Sequence, residues 1–126
     1  MNISYYPSLY GMELSGEEKQ KVHQKVKKIV EELHAGGFVH GDIRHTNILV
    51  DRESLGKEAD DVIVHLIDFD WAGPIGIARY PMRVNKETVW RPDGVRAGEL
   101  ITVEHDQEMV RNLFREVNPI DIVGLS

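Results

Sequence analysis

Between residues 15 and 37, apolar residues recur at helical spacing. The apolar positions are Val22, Val26, Ile29, Val30 and Leu33. They fall on one face of an α-helix. Ser15 and Glu18 have the spacing of a capping box, which begins a helix, and the pair Gly36-Gly37 is typical of a helix end. The pattern therefore predicts one long amphipathic helix that begins after Ser15 and ends at Gly36.

Two short apolar runs follow the helix, at residues 48–50 and 62–67. Both are rich in β-branched residues, which are typical of strands. The polar segment between them, residues 51–61, contains Gly56 and has the character of an ordinary surface loop. The two runs therefore predict a small β-hairpin, and we assign no chemistry to its loop.

The segments before the first helix and after the hairpin lack clear periodicity. Residues 1–14 mix tyrosines with Pro7 and Gly11, which predicts an irregular lead-in whose aromatic rings pack on the rest of the fold. Residues 71–102 carry turn sequences such as the Pro-Asp-Gly at residues 92–94. This segment therefore predicts a long loop with little regular structure, and long ordered loops are usually functional.

A second helix is predicted near the end of the chain. Apolar residues at helical spacing are Met109, Val110, Leu113, Phe114 and Val117. Glu104 and Asp106 lie near the positive N-terminal end of such a helix, and the Asn-Pro pair at residues 118–119 would end it. Together these elements predict a single α+β domain.

The composition is that of an ordinary globular domain. The 126 residues include 29% charged residues and carry a formal net charge of −6, and a chain of this length forms one hydrophobic core. The acidic balance, without a basic stripe, argues against nucleic-acid binding. The sequence has no cysteine, which excludes disulfides and thiolate zinc sites. Because there is neither a secretory leader nor an apolar run of bilayer-spanning length, we expect no membrane insertion and a cytoplasmic location.

Three polar residues near the predicted strands have a spacing that suits phosphoryl transfer. Asp42 follows a glycine in the turn after the helix, Asn47 comes five residues later, and Asp68 follows the second apolar run. An Asp can deprotonate an attacking hydroxyl, while an Asn and a second Asp hold Mg²⁺ together with ATP. A Gly-Asp pair alone is more often a simple turn. The linked Asn47 and Asp68 make the catalytic interpretation the better one.

Other polar residues near this set allow more than one interpretation. Arg44, two residues after the predicted base, either contacts the transferring phosphoryl group or forms a surface ion pair. Asp70 is either a third acid facing the metal or, more often at such positions, a surface carboxylate. His40, His45 and His65 match no usual spacing of zinc ligands, so we expect structural roles for them.

These motifs resemble a known family. The segment from about residue 33 to residue 108 resembles the catalytic, C-terminal lobe of protein kinase-like proteins. The HGD at residues 40–42 is similar to the family's His-Arg-Asp, Asn47 to its metal-binding Asn, and the DFD at residues 68–70 to its Asp-Phe-Gly. The HGD form also occurs in aminoglycoside phosphotransferases and choline kinases. The stretches IDFDWAG, ARYP, WRPDG and EHDQEM most resemble a fungal protein kinase-like family.

The resemblance implies a fold and a reaction. The fold would be a kinase C-lobe with a long helix, a catalytic loop, a small β-hairpin, an activation-like loop and a supporting helix. The reaction would be Mg²⁺-dependent transfer of phosphate from ATP to a hydroxyl acceptor, most often of a protein Ser or Thr. Asp42 would be the base, Asn47 and Asp68 would hold metal and nucleotide, and Arg44 would contact phosphate. Asp106 is similar to the buried helix Asp that supports the catalytic loop.

The chain also departs from the kinase pattern. It shows no Gly-rich phosphate loop and no strand Lys. We therefore expect residues 15–126 to form a truncated lobe behind the lead-in of residues 1–14, with the small N-terminal lobe absent. Gly41 replaces the Arg that pairs with a phosphorylated activation loop, which predicts that no such switch operates. Asp70 replaces a Gly and no Ala-Pro-Glu follows, so the acceptor, a protein or a small molecule, stays open.

These departures leave a second hypothesis, from another functional class. The chain would then be a non-catalytic kinase remnant that acts as a binding or regulatory module. It would form a homodimer that covers exposed apolar surface, or it would need a partner protein that supplies the small lobe. The joint presence of Asp42, Asn47 and Asp68 favours the catalytic hypothesis.

Overall fold

Residues 6–115 are described by the computed structural model, in which two α-helices, three short 3₁₀ helices and four short strands occur. The α-helices and strands are α1 (Gly16–Ala35), β1 (Phe38–Val39), β2 (Ile48–Val50), β3 (Val64–Leu66), β4 (Gly73–Pro74) and α2 (Val103–Asn112). β1 pairs with β4 and β2 pairs with β3, each pair antiparallel. In this part of the chain, no helix combines the length and apolar character needed to cross a membrane. The α+β class is confirmed, and the architecture is compatible with a kinase-like fragment.

Helix α1 forms as its sequence predicts. The N–H of Ser15 donates to Glu18 Oε1 at 2.8 Å, and the N–H of Glu18 donates to Ser15 Oγ at 3.1 Å, which completes the capping box. Beyond the other end, Gly37 has a φ of 92°, which glycine adopts without steric cost. The buried residues of the helix are Val22, Val26 and Val30. The amphipathic pattern therefore identified the face that packs into the core.

The predicted hairpin is present as β2 and β3. β3 is shorter than the apolar run that predicted it, because both ends of the run bond elsewhere. The N–H of Val62 closes a 3₁₀ turn on the Ala59 carbonyl at 3.4 Å. At the other end, the N–H of Ile67 donates to the Asn47 carbonyl at 2.9 Å. The hairpin thus brings the residue that precedes Asp68 next to Asn47.

Residues of the lead-in pack on the hairpin. The N–H of Leu9 donates to a carbonyl of β2 at 2.7 Å, and an N–H of β2 donates to the Pro7 carbonyl at 3.0 Å. Leu9 is buried in the main hydrophobic cluster. Tyr6 stacks on His65 with ring centroids 5.7 Å apart, which is the aromatic packing that the sequence predicted. The described lead-in residues therefore border the sheet.

Two hydrophobic clusters hold these segments together. The larger lies between α1, the hairpin and α2. The smaller consists of Val39, Tyr80, Val95 and Ile101. Burial raises the pKa of Tyr80, so its hydroxyl stays protonated and shares a hydrogen bond of 3.0 Å with His105 Nδ1. The segment of residues 40–47 begins beside the smaller cluster and continues into the larger one, so both clusters anchor it.

Helix α2 is present but ends earlier than its apolar pattern predicted. Thr102 caps its first turn, and the helix ends at Asn112. The N–H of Leu113 then bonds to the Val110 carbonyl at 3.2 Å, and such a bond to the third preceding residue tightens the end of a helix. The predicted continuation and stop, at residues 117–119, lie outside the described residues.

Residues 71–102 contain little regular structure, as their turn sequences predicted. β4 fixes the start of the segment against β1, a pairing that had no signal in the sequence. A bridge between Arg79 and Leu100 closes the segment on itself. The loop between these points reaches back to Asp42 through Arg91.

Candidate functional site

A buried carboxylate supports the loop that carries the predicted base. Asp106, in the first turn of α2, accepts the N–H of His40 at Oδ2 and the N–H of Gly41 at Oδ1, at 2.8 and 2.9 Å. Its Oδ2 also lies 2.9 Å from Nε2 of His34, which is on α1. Asp106 therefore supports the loop of residues 40–47, as the kinase resemblance implied, and it also joins the start of this loop to both helices.

His40 connects this loop to the strand end that carries Asp68. Its side chain is completely buried. Nδ1 accepts the N–H of Asp42 at 3.0 Å, and Nε2 bonds to the Ile67 carbonyl at 2.9 Å. Because a carbonyl can only accept, Nε2 carries the proton and Nδ1 acts as the acceptor. The His40 and Phe69 rings also pack edge to face, with centroids 5.0 Å apart. His40 thus has the structural role expected for it.

The glycine before the predicted base is required by the geometry of the loop. Gly41 has a φ of 90°, a conformation that residues with a side chain rarely adopt. A Cβ at this position would lie 2.8 Å from Cδ1 of Ile101 and 3.3 Å from its Cγ2. Since Ile101 is itself buried in the smaller cluster, it has little freedom to move away. The Arg of the His-Arg-Asp motif therefore has no room here, which explains this departure from the kinase pattern.

Asp42 and Asn47 form one hydrogen-bonded unit. Both side chains belong to buried residues. The Asn47 amide donates to the Asp42 carbonyl at 2.8 Å and to the Asp42 carboxylate Oδ2 at 3.1 Å. These bonds join two residues that lie five positions apart, and they close the loop between Asp42 and Asn47. The Asn47 amide oxygen takes no part in these bonds and is the atom suited to a hard cation.

Asp68 lies at the exposed end of the hairpin with an unusual backbone conformation. Its φ is 59°, and among residues 6–115 no other non-glycine residue has a positive φ. Asp tolerates this left-handed region better than most residues, and such strained positions cluster at functional sites. Asp68 Oδ1 accepts the N–H of Asp70 at 3.3 Å. Asp70 therefore supports this turn through its backbone, while the residue itself is exposed.

Arg44 contacts the predicted base directly. Its Nε donates to Asp42 Oδ1 at 3.1 Å, and its side chain is 37% exposed. The sequence left open a phosphate contact or a surface ion pair, and the structure shows an ion pair with Asp42 itself. Of the four predicted site residues, Asp42, Arg44 and Asn47 are in direct contact. Asp68 is joined to them through the backbone of Ile67.

The loop of residues 40–47 and the hairpin fall within a match to a known family. The model of the lipopolysaccharide kinase (Kdo/WaaP) family matches residues 7–82, more than half of the chain. The chain belongs to this family. No curated protein matches it.

Membership of the lipopolysaccharide kinase family confirms the kinase-like resemblance at the level of the superfamily. Kinase families use a nucleotide and a divalent metal in general, which agrees with the expected use of ATP and Mg²⁺. The finer likeness to a fungal protein kinase-like family is not confirmed. The matched residues end at Met82, so the contacts made by Arg91 and by α2 lie beyond the match.

Beyond the lipopolysaccharide kinase match, one residue that sequence reasoning missed holds the predicted base. Arg91 Nη1 donates to Asp42 Oδ1 at 2.7 Å, and its side chain is 3% exposed. The guanidinium carbon lies 5.0 Å from the centroid of the Trp71 ring, a cation–π distance. In the sequence, the WRPDG stretch that contains Arg91 contributes to the resemblance to a kinase-like family but gives no sign of a contact with Asp42. Arg91 lies 49 residues from Asp42, and no spacing rule connects positions so far apart.

A cleft of about 260 Å³ opens beside the loop of residues 40–47 in this kinase-family chain. Residues 43–46 of the loop and residues 88–90 contribute to its lining, together with the end of α2. Trp90 lines the cleft while 48% of its surface stays exposed. Because Arg44 belongs to the lining and also bonds to Asp42, the cleft adjoins the predicted base.

Proposed function

We propose that the chain is a phosphotransferase that moves the γ-phosphoryl group of ATP to a sugar hydroxyl of a lipopolysaccharide-type acceptor. The observation that carries this proposal is the contact set of the buried Asp42 carboxylate, which is bonded by Asn47, Arg44 and Arg91. Phosphoryl transfer needs a base for the hydroxyl and fixed positive charge for the phosphoryl oxygens. The family match supports the reaction class, and the family's description supports the acceptor.

In the proposed reaction the acceptor oxygen attacks the γ-phosphorus, its proton passes to Asp42, and the bond to ADP breaks. Arg44 turns from Asp42 to the phosphoryl oxygens, where a permanent positive charge stabilises the transition state. These are the roles that the sequence suggested. The direct contact between Arg44 and Asp42 supports both roles, because the two side chains are neighbours.

Mg²⁺ fits the residues present, although they supply only part of its coordination shell. Asn47 and Asp68 offer hard oxygen atoms, and phosphate oxygens with water complete an octahedral shell. Across residues 6–115, no group of three or more His, Cys, Asp or Glu side chains is arranged to hold a metal. Metal and nucleotide would therefore bind together. When bound, the ion neutralises charge on the phosphates.

The cleft beside Arg44 is where we place the acceptor. Its lining residues include the aromatic Trp90 and the polar Thr46, Thr88 and Asn112. An aromatic surface with a few polar groups is typical of small-molecule sites, and it suits the apolar face and the hydroxyls of a sugar ring. A sugar hydroxyl is thus favoured over the protein Ser or Thr that the kinase resemblance suggested.

A transfer assay tests the proposal. The purified chain is incubated with γ-radiolabelled ATP and Mg²⁺, with lipopolysaccharide and casein as separate acceptors. We expect label in lipopolysaccharide that disappears when EDTA removes the metal. Label in casein alone would support the phosphoryl-transfer reaction but refute the lipopolysaccharide-type acceptor. No label in either acceptor is the result that the non-catalytic hypothesis predicts.

A further inference from the structure

We infer that Arg91 is the positioning residue of the Asp42 base, and that Arg44 is the arginine that leaves Asp42 for the phosphoryl group. This division of roles rests on the proposed function of Asp42. The family match ends before Arg91. The assignment follows from how differently the two guanidinium groups are held.

Arg91 is held on three sides. Its Nη1 donates to Asp42 Oδ1 at 2.7 Å, and its Nε donates to the Asn85 carbonyl at 3.2 Å. The face of the guanidinium lies against the Trp71 ring at 5.0 Å. The side chain is 3% exposed, and a charge buried so deeply is tolerated only while it stays paired. The planar group is therefore fixed in one orientation, as suits a residue that orients another.

Arg44 is held more loosely. Its bond to Asp42 Oδ1 is longer, at 3.1 Å, and its side chain is 37% exposed. Water can replace the partner of an exposed ion pair, so such pairs separate at little cost. Arg44 also lines the cleft in which the acceptor is placed. It can therefore turn towards a phosphoryl group, whereas Arg91 would leave a buried charge unpaired.

The two arginines share one carboxylate oxygen and leave the other available for reaction. Oδ1 of Asp42 accepts from both Arg44 and Arg91. Within the described part of the chain, Oδ2 accepts from the Asn47 amide. A carboxylate oxygen offers two lone pairs. While Arg44 is bound, both lone pairs of Oδ1 are therefore occupied, and Oδ2 keeps one lone pair for the proton of the acceptor.

Arg91 also connects the base to the metal side of the site. Trp71, on which it rests, follows directly after the DFD of residues 68–70. A displacement of that segment would reach Asp42 through the Trp71 ring and Arg91.

The cluster around Asp42 also carries a net positive charge. One carboxylate faces two guanidinium groups, so this cluster has one positive charge in excess. A transferring phosphoryl group would compensate that charge.

The test compares Arg91→Met with Arg96→Met, which changes an exposed arginine of the same segment. In the transfer assay, we expect Arg91→Met to lower kcat by about 10- to 100-fold while KM for ATP stays within about twofold, because a misplaced catalytic group costs about that much in rate. In Arg91→Ala, which leaves the space beside Trp71 open, added guanidinium but not ammonium is expected to recover part of kcat. Arg96→Met is expected to match the wild type in both constants.

Two further measurements keep the inference testable if Arg91→Met folds poorly or turnover is slow. Trp71→Leu removes the ring but keeps every charge, and we expect it to lower kcat by about three- to tenfold, since it only loosens Arg91. A double-mutant cycle of Asp42→Asn and Arg91→Met in urea unfolding needs no turnover. The expected coupling is about tenfold or more in the unfolding equilibrium constant.

The possible outcomes separate this inference from the proposed function. An unchanged kcat in Arg91→Met, a loss in Arg91→Ala that guanidinium does not relieve, or a cycle without coupling would overturn the positioning role. Loss of transfer in Asp42→Asn with full transfer in Arg91→Met would refute this inference alone. Full transfer in Asp42→Asn would overturn the role of Asp42 as the base and this inference with it, whereas no transfer by the wild type would refute the proposed function.

Discussion

Replacing Asp42 with Asn is expected to lower kcat for phosphoryl transfer by about 10²- to 10⁴-fold, the usual contribution of a general base. Asn has the same shape, and its amide oxygen can still accept from Arg44 and Arg91, but it cannot take the proton of the acceptor. Because Asn47 and Asp68 hold the nucleotide in the proposed mechanism, ATP affinity is expected to change little.

The measurement is the initial rate of label transfer from ATP, with Asp60→Asn as the matched control. Asp60 is exposed in the hairpin loop, so its replacement removes the same charge far from the proposed chemistry. Urea unfolding of both variants separates loss of the base from loss of the fold, since Arg91 depends on Asp42 as its buried partner. A wild-type rate in Asp42→Asn would show that another group accepts the proton.

The second large effect concerns stability. Asp106→Ala is expected to lower the free energy of unfolding by about 2–6 kcal/mol, because two buried N–H groups each lose an acceptor at about 1–3 kcal/mol. These are the N–H groups of His40 and Gly41, and His34 loses its partner as well. The total free energy of unfolding of a domain of this size is about 5–15 kcal/mol. The variant is therefore expected to be only marginally stable.

Urea denaturation followed by circular dichroism measures this loss. Gln107→Ala serves as the control, because it truncates the next residue of the same helix, which is exposed. The stability of Asp106→Asn is expected to lie between those of Asp106→Ala and Gln107→Ala, since Asn keeps one acceptor oxygen but has a donor in place of the other. If Asp106→Ala is no less stable than Gln107→Ala, the loop of residues 40–47 does not depend on this carboxylate.

Features that are encoded within a few residues could be predicted from the sequence. The capping box at Ser15 and the helical spacing of the valines after it specify α1, and the structure confirms both. The two apolar runs specify the hairpin, because strands that follow one another along the chain usually pair. The spacing of Asp42 and Asn47 is equally local, and the two side chains do bond to each other.

Contacts between distant segments could not be predicted in this way. Arg91 reaches Asp42 only because β4 and the bridge at Arg79 fold the long loop back. The need for Gly41 also depends on a remote residue, since Ile101 occupies the space that a Cβ would fill. Periodicity and motif spacing report neighbours along the chain, and these partners lie in separate elements.

The central claim is that Asn47 and Asp68 bind nucleotide through Mg²⁺ beside Asp42. Calorimetric titration of the chain with ATP, with and without Mg²⁺, tests it most directly. We predict binding that requires Mg²⁺ and that Asp68→Asn weakens by about tenfold or more, equal to about 1.4 kcal/mol. Asp70→Asn, which changes an exposed acid in the same turn, is expected to bind like the wild type. No binding at millimolar ATP, or equal binding by the wild type and Asp68→Asn, would contradict the claim.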